Sequence, residues 1–199
     1  TPAGRQSLKA HLKGLAGNRN FVRFLAGNFF LVDALNACIL WLSVFLAKVY
    51  GVTQGVLIQT LLALNFSAFL YGLIFGHVTD RMGSKKALLI SLVLLALTLA
   101  GLALIPSLAW ARVFILIFGG GAAAGIWTAG RKMVIDLAPE ERRGEYFGFY
   151  GFTTKVSALG SLVVSVLADF FGFRVAVASQ LVSLALAFWL LGGVRLKKA

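Results

Sequence analysis

The chain has 199 residues, of which 59% are hydrophobic and 13% charged, and its formal net charge is +12. A soluble domain carries about a quarter charged residues and about half apolar ones. Here the apolar residues form long blocks, with Lys and Arg in the short stretches between them, so the charge points to a membrane surface and away from nucleic acid.

Residues 1–20 are polar and basic, with Arg5, Lys9, His11, Lys13 and Arg19. Leu8, Leu12 and Leu15 recur at helical spacing beside Lys9 and Lys13, which suits an amphipathic helix on a cytoplasmic membrane surface or a basic linker. The first residue is Thr1 and not Met, so we expect a piece of a longer protein.

Six apolar runs follow, at about 21–48, 55–77, 86–105, 109–132, 144–168 and 173–194. Each reaches the roughly 20 residues that a helix needs to cross a bilayer. The first is long enough to tilt, and the fifth is the least apolar. Six spans put both termini on one side. Arg23, Arg81, Lys85, Lys86, Arg131, Lys132, Arg142, Arg143 and Lys197 then share that side, and Lys48, Arg112 and Arg174 fall on the other. Lys and Arg are retained on the cytoplasmic side, so we expect both termini there, in a bacterial inner membrane.

Asp33 lies near the middle of the first run, and Asn36, three residues on, shares its face. Cys38, the only cysteine, excludes a disulfide within the chain and a Cys-based metal site. Between the second and third runs stands a charged, Gly-punctuated turn, Gly76 to Lys86, in which Asp80 and Arg81 end one run and Gly83 reverses the chain. Lys85 and Lys86 open the next run. In the fourth run, Gly119 to Gly125 lacks the Gly-Lys-Ser/Thr of a phosphate loop. Gly121 and Gly125 instead have the G-x-x-x-G spacing of close helix packing. Arg131 ends that run as a substrate or gate residue, or as a snorkelling cation. Pro139, Glu140 and Glu141 read as a helix start.

Lys155 lies mid-way along the fifth run, beside Thr154. A charge at the bilayer centre costs roughly 2.5–3.5 kcal/mol and needs water or a partner. Asp33 and Lys155 therefore read either as a charged cavity wall or as an ion pair that fixes packing. In the first reading Lys155 holds an anionic group, and Asp33 carries a proton or binds an amine. Trp41, Trp110, Trp127 and Trp189 read as packing and interface anchors. With His11 and His77 far apart and no nucleophile–base pair, we expect no metal, no cofactor and no enzymatic activity.

A shift of 89 residues lays the second half on the first: Gly83 falls on Gly172, Lys85 on Arg174, Gly55 on Gly144 and Arg23 on Arg112. The expected fold is an all-α membrane protein, six transmembrane helices in two three-helix repeats at about 21–108 and 109–195. Three being odd, the second repeat runs inverted, as in transporters. Asp169 and Arg174 become a degenerate copy of the charged turn, without an assigned role.

The turn Gly76 to Lys86 resembles the signature loop G-x-x-x-D-R-x-G-x-[KR]-[KR] of the major facilitator superfamily, and Asp136 to Gly144 is similar to its later P-x-x-x-R-G loop. The resemblance covers residues 20–195 and implies the C-terminal half of a major facilitator fold. More narrowly, Asp33, Arg131 and Glu145 to Tyr150, leading to Lys155 and Gly160, look like the vacuole-effluxer (autophagy-related permease) branch. Ala34 and Ser161 stand where that branch tends to have Gly and Pro. The resemblance implies that helices 1, 2, 4 and 5 line a central cavity, helices 3 and 6 face lipid, and Gly76, Asp80, Arg81, Gly83 and Lys85 form a gating loop. The implied activity is secondary transport of a small polar solute (an amino acid or peptide-like compound) by alternating access, coupled to a proton or another ion. The implied partner is a missing N-terminal half or a second copy of the chain. The alternative is a membrane scaffold or partner subunit that transports nothing.

Overall fold

The computed structural model of the chain describes residues 17–196. The helix considered at Leu8 to Leu15 lies outside the described residues. Among the described residues there are six membrane-length helical spans and no strand. They are α1 (Arg19–Tyr50), α2 (Gln54–Met82), α3 (Ser84–Leu104), α4 (Leu108–Leu137), α5 (Glu140–Phe171) and α6 (Phe173–Gly192).

Local chemistry sets where each helix stops. Asn18 caps α1, its side-chain oxygen accepting from the Phe21 N–H at 3.1 Å, and Gly51 ends it in the left-handed conformation. A single glycine separates α2 from α3 and another separates α5 from α6: Gly83 at φ 85, ψ 153 and Gly172 at φ 83, ψ 159. Essentially only glycine occupies that region. Each glycine N–H donates to the carbonyl four residues back (Thr79, Ala168), and each glycine carbonyl accepts from the N–H four residues on (Ala87, Ala176). The two turns are one structure built twice, 89 residues apart.

Two spans are not regular. In α4, Ile115–Gly119 is wound as a π-helix. In α5, expected as one uninterrupted helix, the α-helical parts Arg143–Ser157 and Ser161–Phe171 are divided by a 3-10 turn, Ala158–Gly160. Two hydroxyls flank the break and bond the backbone: Ser157 Oγ donates to the Thr154 carbonyl at 2.8 Å, and Ser161 Oγ to the Ala158 carbonyl at 2.7 Å. Such back-bonding bends helices.

The core lies between α1, α3, α4 and α6, with Phe24, Leu31, Leu88, Leu95, Ile126 and Leu184 all buried. The glycines of α4 let it close on its neighbours: a Cβ on Gly120 would overlap Ser67, and one on Gly125 would overlap Ser91 and Phe75. That decides the Gly119–Gly125 stretch in favour of packing. Outward faces of α3 (Ile90, Val93, Leu97) and α6 (Val182, Leu186, Trp189) are apolar and exposed.

The helices α3 and α6 cap one another. Lys85, opening α3, donates from Nζ to the Gly192 and Val194 carbonyls at the end of α6, at 2.7 Å each. Arg174, opening α6, donates from Nη1 to the carbonyls of Leu102, Ala103 and Ile105 at the end of α3, at 3.3, 3.0 and 3.1 Å. Its guanidinium also lies 5.5 Å from the centre of the Tyr50 ring. Each start meeting the other's end makes the pair antiparallel, so the second three-helix set is inverted relative to the first.

Candidate functional site

Asp33, half-way along α1, is 7% exposed. It points between α5 and α6. Its Oδ2 accepts a hydrogen bond from Ser183 Oγ on α6 at 3.2 Å. Its other oxygen, Oδ1, has no hydrogen-bond partner among the described residues. The carboxylate rests on the break in α5, where a Cβ on Gly160 would collide with it. Asn36 is one turn further along, its Nδ2 donating to Ser157 Oγ at 3.2 Å. The Trp41 indole N–H donates to the Ser161 carbonyl at 3.2 Å. Three residues of α1 thus hold the irregular segment of α5.

The structure does not join Asp33 to Lys155, so the ion-pair reading is corrected. The reason is helical phase. The positions 146, 150, 154, 157 and 161 of α5 turn toward α1, whereas Lys155 lies about 100° round from Thr154, on the exposed stripe with Phe152 and Leu159. Its ammonium has no hydrogen bond or ion pair among the described residues. No other charged side chain of α5 or α6 reaches Asp33: Glu145 pairs with Arg142, Asp169 is exposed, and Arg174 is at the far end of α6.

Arg131 is exposed near the end of α4. Beneath it lies a polar group that the sequence reading did not single out. Asn28 is fully buried, and neither its Nδ2 nor its Oδ1 has a partner among the described residues. Tyr150 OH and Thr154 Oγ1 are likewise buried, one turn apart on α5 with only one another in reach there. The available signal was spacing, since Tyr146, Tyr150, Thr154, Ser157 and Ser161 recur every three or four residues on α5. Ser183 follows Ser179 and Gln180 at helical spacing, which marked a polar side of α6 but did not tie it to Asp33.

A pocket of about 430 Å³ opens where α1, α2 and α4 meet. Ile39, Leu42, Leu64 and Trp127 supply its apolar wall and Asn65 a polar group. Asp33 and Lys155 are not among its lining residues.

On the face where α1 begins and α6 ends, Asp80 and Arg81 are exposed and make no ion pair among the described residues. Their neighbours are engaged within the bundle. Besides Lys85 on α6, the buried Ser84 donates from Oγ to Asp136 Oδ2 at 2.6 Å, tying α3 to the end of α4. Lys132 stands 3.9 Å from the same carboxylate.

The sequence profile of the family described as the Major Facilitator Superfamily matches residues 24–198. A "Na(+), Li(+), K(+)/H(+) antiporter" of Planococcus maritimus is 28% identical over 86% of the chain and 42% of its own length. The "Multi-drug resistance efflux pump PmrA" of Streptococcus pneumoniae is 24% identical over 74% of the chain and 38% of its own length. An "Inner membrane metabolite transport protein YdjE" of Escherichia coli is 27% identical over 65% of the chain and 29% of its own. The chain spans less than half the length of each of these relatives.

Proposed function

The chain belongs to the major facilitator superfamily, whose profile covers residues 24–198, and we propose that it is one six-helix half of a secondary transporter. The transporter moves a small solute by alternating access and is driven through a proton carried by Asp33. The observation behind this reading is the pair of intramembrane charges and their different settings. Asp33 is enclosed at a helix break, with one oxygen unpartnered, where a proton can be held away from bulk water. Lys155 is exposed on its own helix, half-way along a 32-residue span. At that depth the side chain cannot reach either surface, and facing lipid would cost roughly 2.5–3.5 kcal/mol. That stripe of α5 is therefore covered by protein or water.

The cover we propose is a second six-helix half, either an N-terminal half or another copy of this chain, with Lys155 and Arg131 on the cavity side holding the solute's polar groups. A small polar solute, amino acid or peptide-like, fits those charges and Asn36. The apolar pocket between α1, α2 and α4 receives the rest of it. The vacuole-effluxer-like branch is the narrower assignment, supported by Asp33, Arg131 and the stretch Glu145–Tyr150. Asp80 and Arg81, without an ion pair among the described residues on the face where α1 begins, act as the gating latch against the second half. That face is cytoplasmic in this reading, by the concentration of Lys and Arg on it.

The test uses membrane vesicles from cells expressing the protein, with an internal pH dye and pulses of NaCl, LiCl, KCl, ethidium and an amino-acid mixture. Solute-driven proton movement is expected, lost on Asp33→Asn and weakened on Lys155→Met. A double variant that responds like the unaltered protein overturns the reading.

A further inference from the structure

The face that α1 and α5 turn to one another mixes aromatic and polar groups, Phe21 and Phe24 of α1 packing on the rings of Tyr146 and Tyr150. On α5 it carries Tyr146, Tyr150, Thr154, Ser157 and Ser161, and on α1 it carries Asn18, Asn28, Asp33 and Asn36. Its two ends are satisfied by protein. Near the termini Asn18 Nδ2 donates to the Tyr146 hydroxyl at 3.3 Å, and beyond Asp33 the Asn36–Ser157 and Trp41–Ser161 bonds close the contact. The middle is not satisfied. Asn28 Nδ2 and Oδ1 and Asp33 Oδ1 are buried without a hydrogen-bond partner among the described residues, and Tyr150 OH and Thr154 Oγ1 are buried with only one another in reach.

Each buried polar atom left without a partner costs the desolvation penalty of its group. Buried polar groups in that position are ordinarily satisfied by ordered water, each molecule taking two to four partners. Two of these groups, Tyr150 OH and Asn28 Oδ1, are close together. The point where a Gly130 Cβ would sit is 2.9 Å from Tyr150 OH and 3.8 Å from Asn28 Oδ1. The seam leads from Asp33 at mid-span toward the start of α5, where Tyr146 meets Asn18.

We propose that the seam between α1 and α5 holds a file of ordered water that carries protons between Asp33 and the face on which α1 and α5 begin. Asn28, Tyr150 and Thr154 position that water. In each passage Asp33 Oδ1 takes a proton from the adjacent water, and every water along the file takes one from its neighbour. One proton enters from the bulk, and only O–H bonds are made or broken. The reverse sequence releases it. Asn28 and the two hydroxyls supply both donors and acceptors, which a file able to run in either direction requires. This inference rests on the reading of Asp33 as the proton carrier.

Two measurements on native membranes containing the protein test it, and neither needs the solute. The first is hydroxyl-radical labelling from radiolysed water, which marks side chains that touch bound water. Tyr150, 6% exposed, should label several-fold faster than Phe45, 1% exposed, after correction for intrinsic ring reactivity and for that difference in exposure. A Tyr150 as inert as Phe45 means a dry seam and overturns the proposal, whatever any variant does. The second is time-resolved infrared spectroscopy after a pH step, following the carboxylic-acid band that Asp33→Asn removes. Tyr150→Phe and Asn28→Leu should slow its rise roughly a hundredfold, the low end of what a positioned proton-transfer group contributes. An unchanged rise time in both variants, with the band still present, overturns the path and leaves Asp33 as the carrier. A band that never responds to pH overturns the reading of Asp33 itself, and the path with it.

Discussion

Lys85 and Arg174, 89 residues apart in the chain, perform the same act at opposite faces of the bundle. Each opens a helix and hydrogen-bonds the closing carbonyls of the other's helix, Lys85 at Gly192 and Val194, Arg174 at Leu102, Ala103 and Ile105. The acceptors obey the same offset, Ala103 corresponding to Gly192 and Ile105 to Val194. A cation at a helix C-terminus meets both the negative end of the macrodipole and unpaired carbonyls.

From that reciprocity, Lys85→Gln and Arg174→Gln should each cost about 1.5–3 kcal/mol, the range for hydrogen bonds to a charged group. The 21 residues of α3 separate the two clamps by about 30 Å, so the costs should add. Thermal unfolding in mild detergent of both single variants and the double variant gives the answer. A double variant no worse than the weaker single would show that the clamps are not independent.

The turn glycines give a second expectation, free of packing. Nothing lies within 4 Å of a Cβ placed on Gly83 or Gly172, so Ala there meets only backbone strain. Gly83→Ala and Gly172→Ala should each destabilise by about 1–3 kcal/mol, and by similar amounts. Gly148, within a helical stretch and equally open, should accept Ala with no loss or a gain of a few tenths of a kcal/mol. Unfolding midpoints of the three variants distinguish strain from crowding.

Much of this fold was legible because a bilayer leaves few choices. A membrane span must be long, apolar and closed on its own hydrogen bonds, so its length and composition declare it. Gly83 and its copy Gly172 were legible for a similar reason, since a one-residue reversal needs glycine. Arg174 was less so. Its alignment with Lys85 was visible, but its role depends on carbonyls about 70 residues earlier, which no local pattern marks. The same limit applies to Asp33. Its burial within a span and its turn-mate Asn36 could be counted, whereas Ser183 could not be connected to it before α1 and α6 were packed. Lys155 shows the complementary difficulty: position along a helix was readable to within a residue or two, but a 100° step in phase decided whether it met Asp33. The break at Ala158–Gly160 shifts that phase further, and nothing in the apolar pattern announced it.

A third expectation concerns the contact between Gly160 and Asp33. A Cβ on Gly160 would occupy the space of the Asp33 carboxylate. Gly160→Ala should therefore destabilise by about 1–3 kcal/mol, as overpacking does. Adding Asp33→Ala removes the obstructing carboxylate and should recover most of that loss without restoring proton movement. The double-mutant cycle in thermal unfolding reads the coupling directly. Additive losses would mean that the cost of Gly160→Ala lies in the 3-10 turn and not in the carboxylate.

The last expectation bears on what covers Lys155. If that stripe of α5 lines an aqueous cavity, a thiol at 155 ionises and reacts with a water-soluble maleimide. A thiol against lipid stays protonated and inert, because the thiolate is the nucleophile. The experiment uses a Cys38→Ala background, Cys38 being the only native thiol. Lys155→Cys is compared with Val93→Cys, on the exposed outward face of α3. Labelling of intact membranes should mark position 155 at least about tenfold faster than position 93, a difference of about 1.4 kcal/mol in effective barrier. Equal inertness at both positions would remove Lys155 from any aqueous cavity and, with it, the solute-binding role proposed for that residue. Equal reactivity at both would instead open the outward face of α3 to water, contrary to its apolar surface of Ile90, Val93 and Leu97.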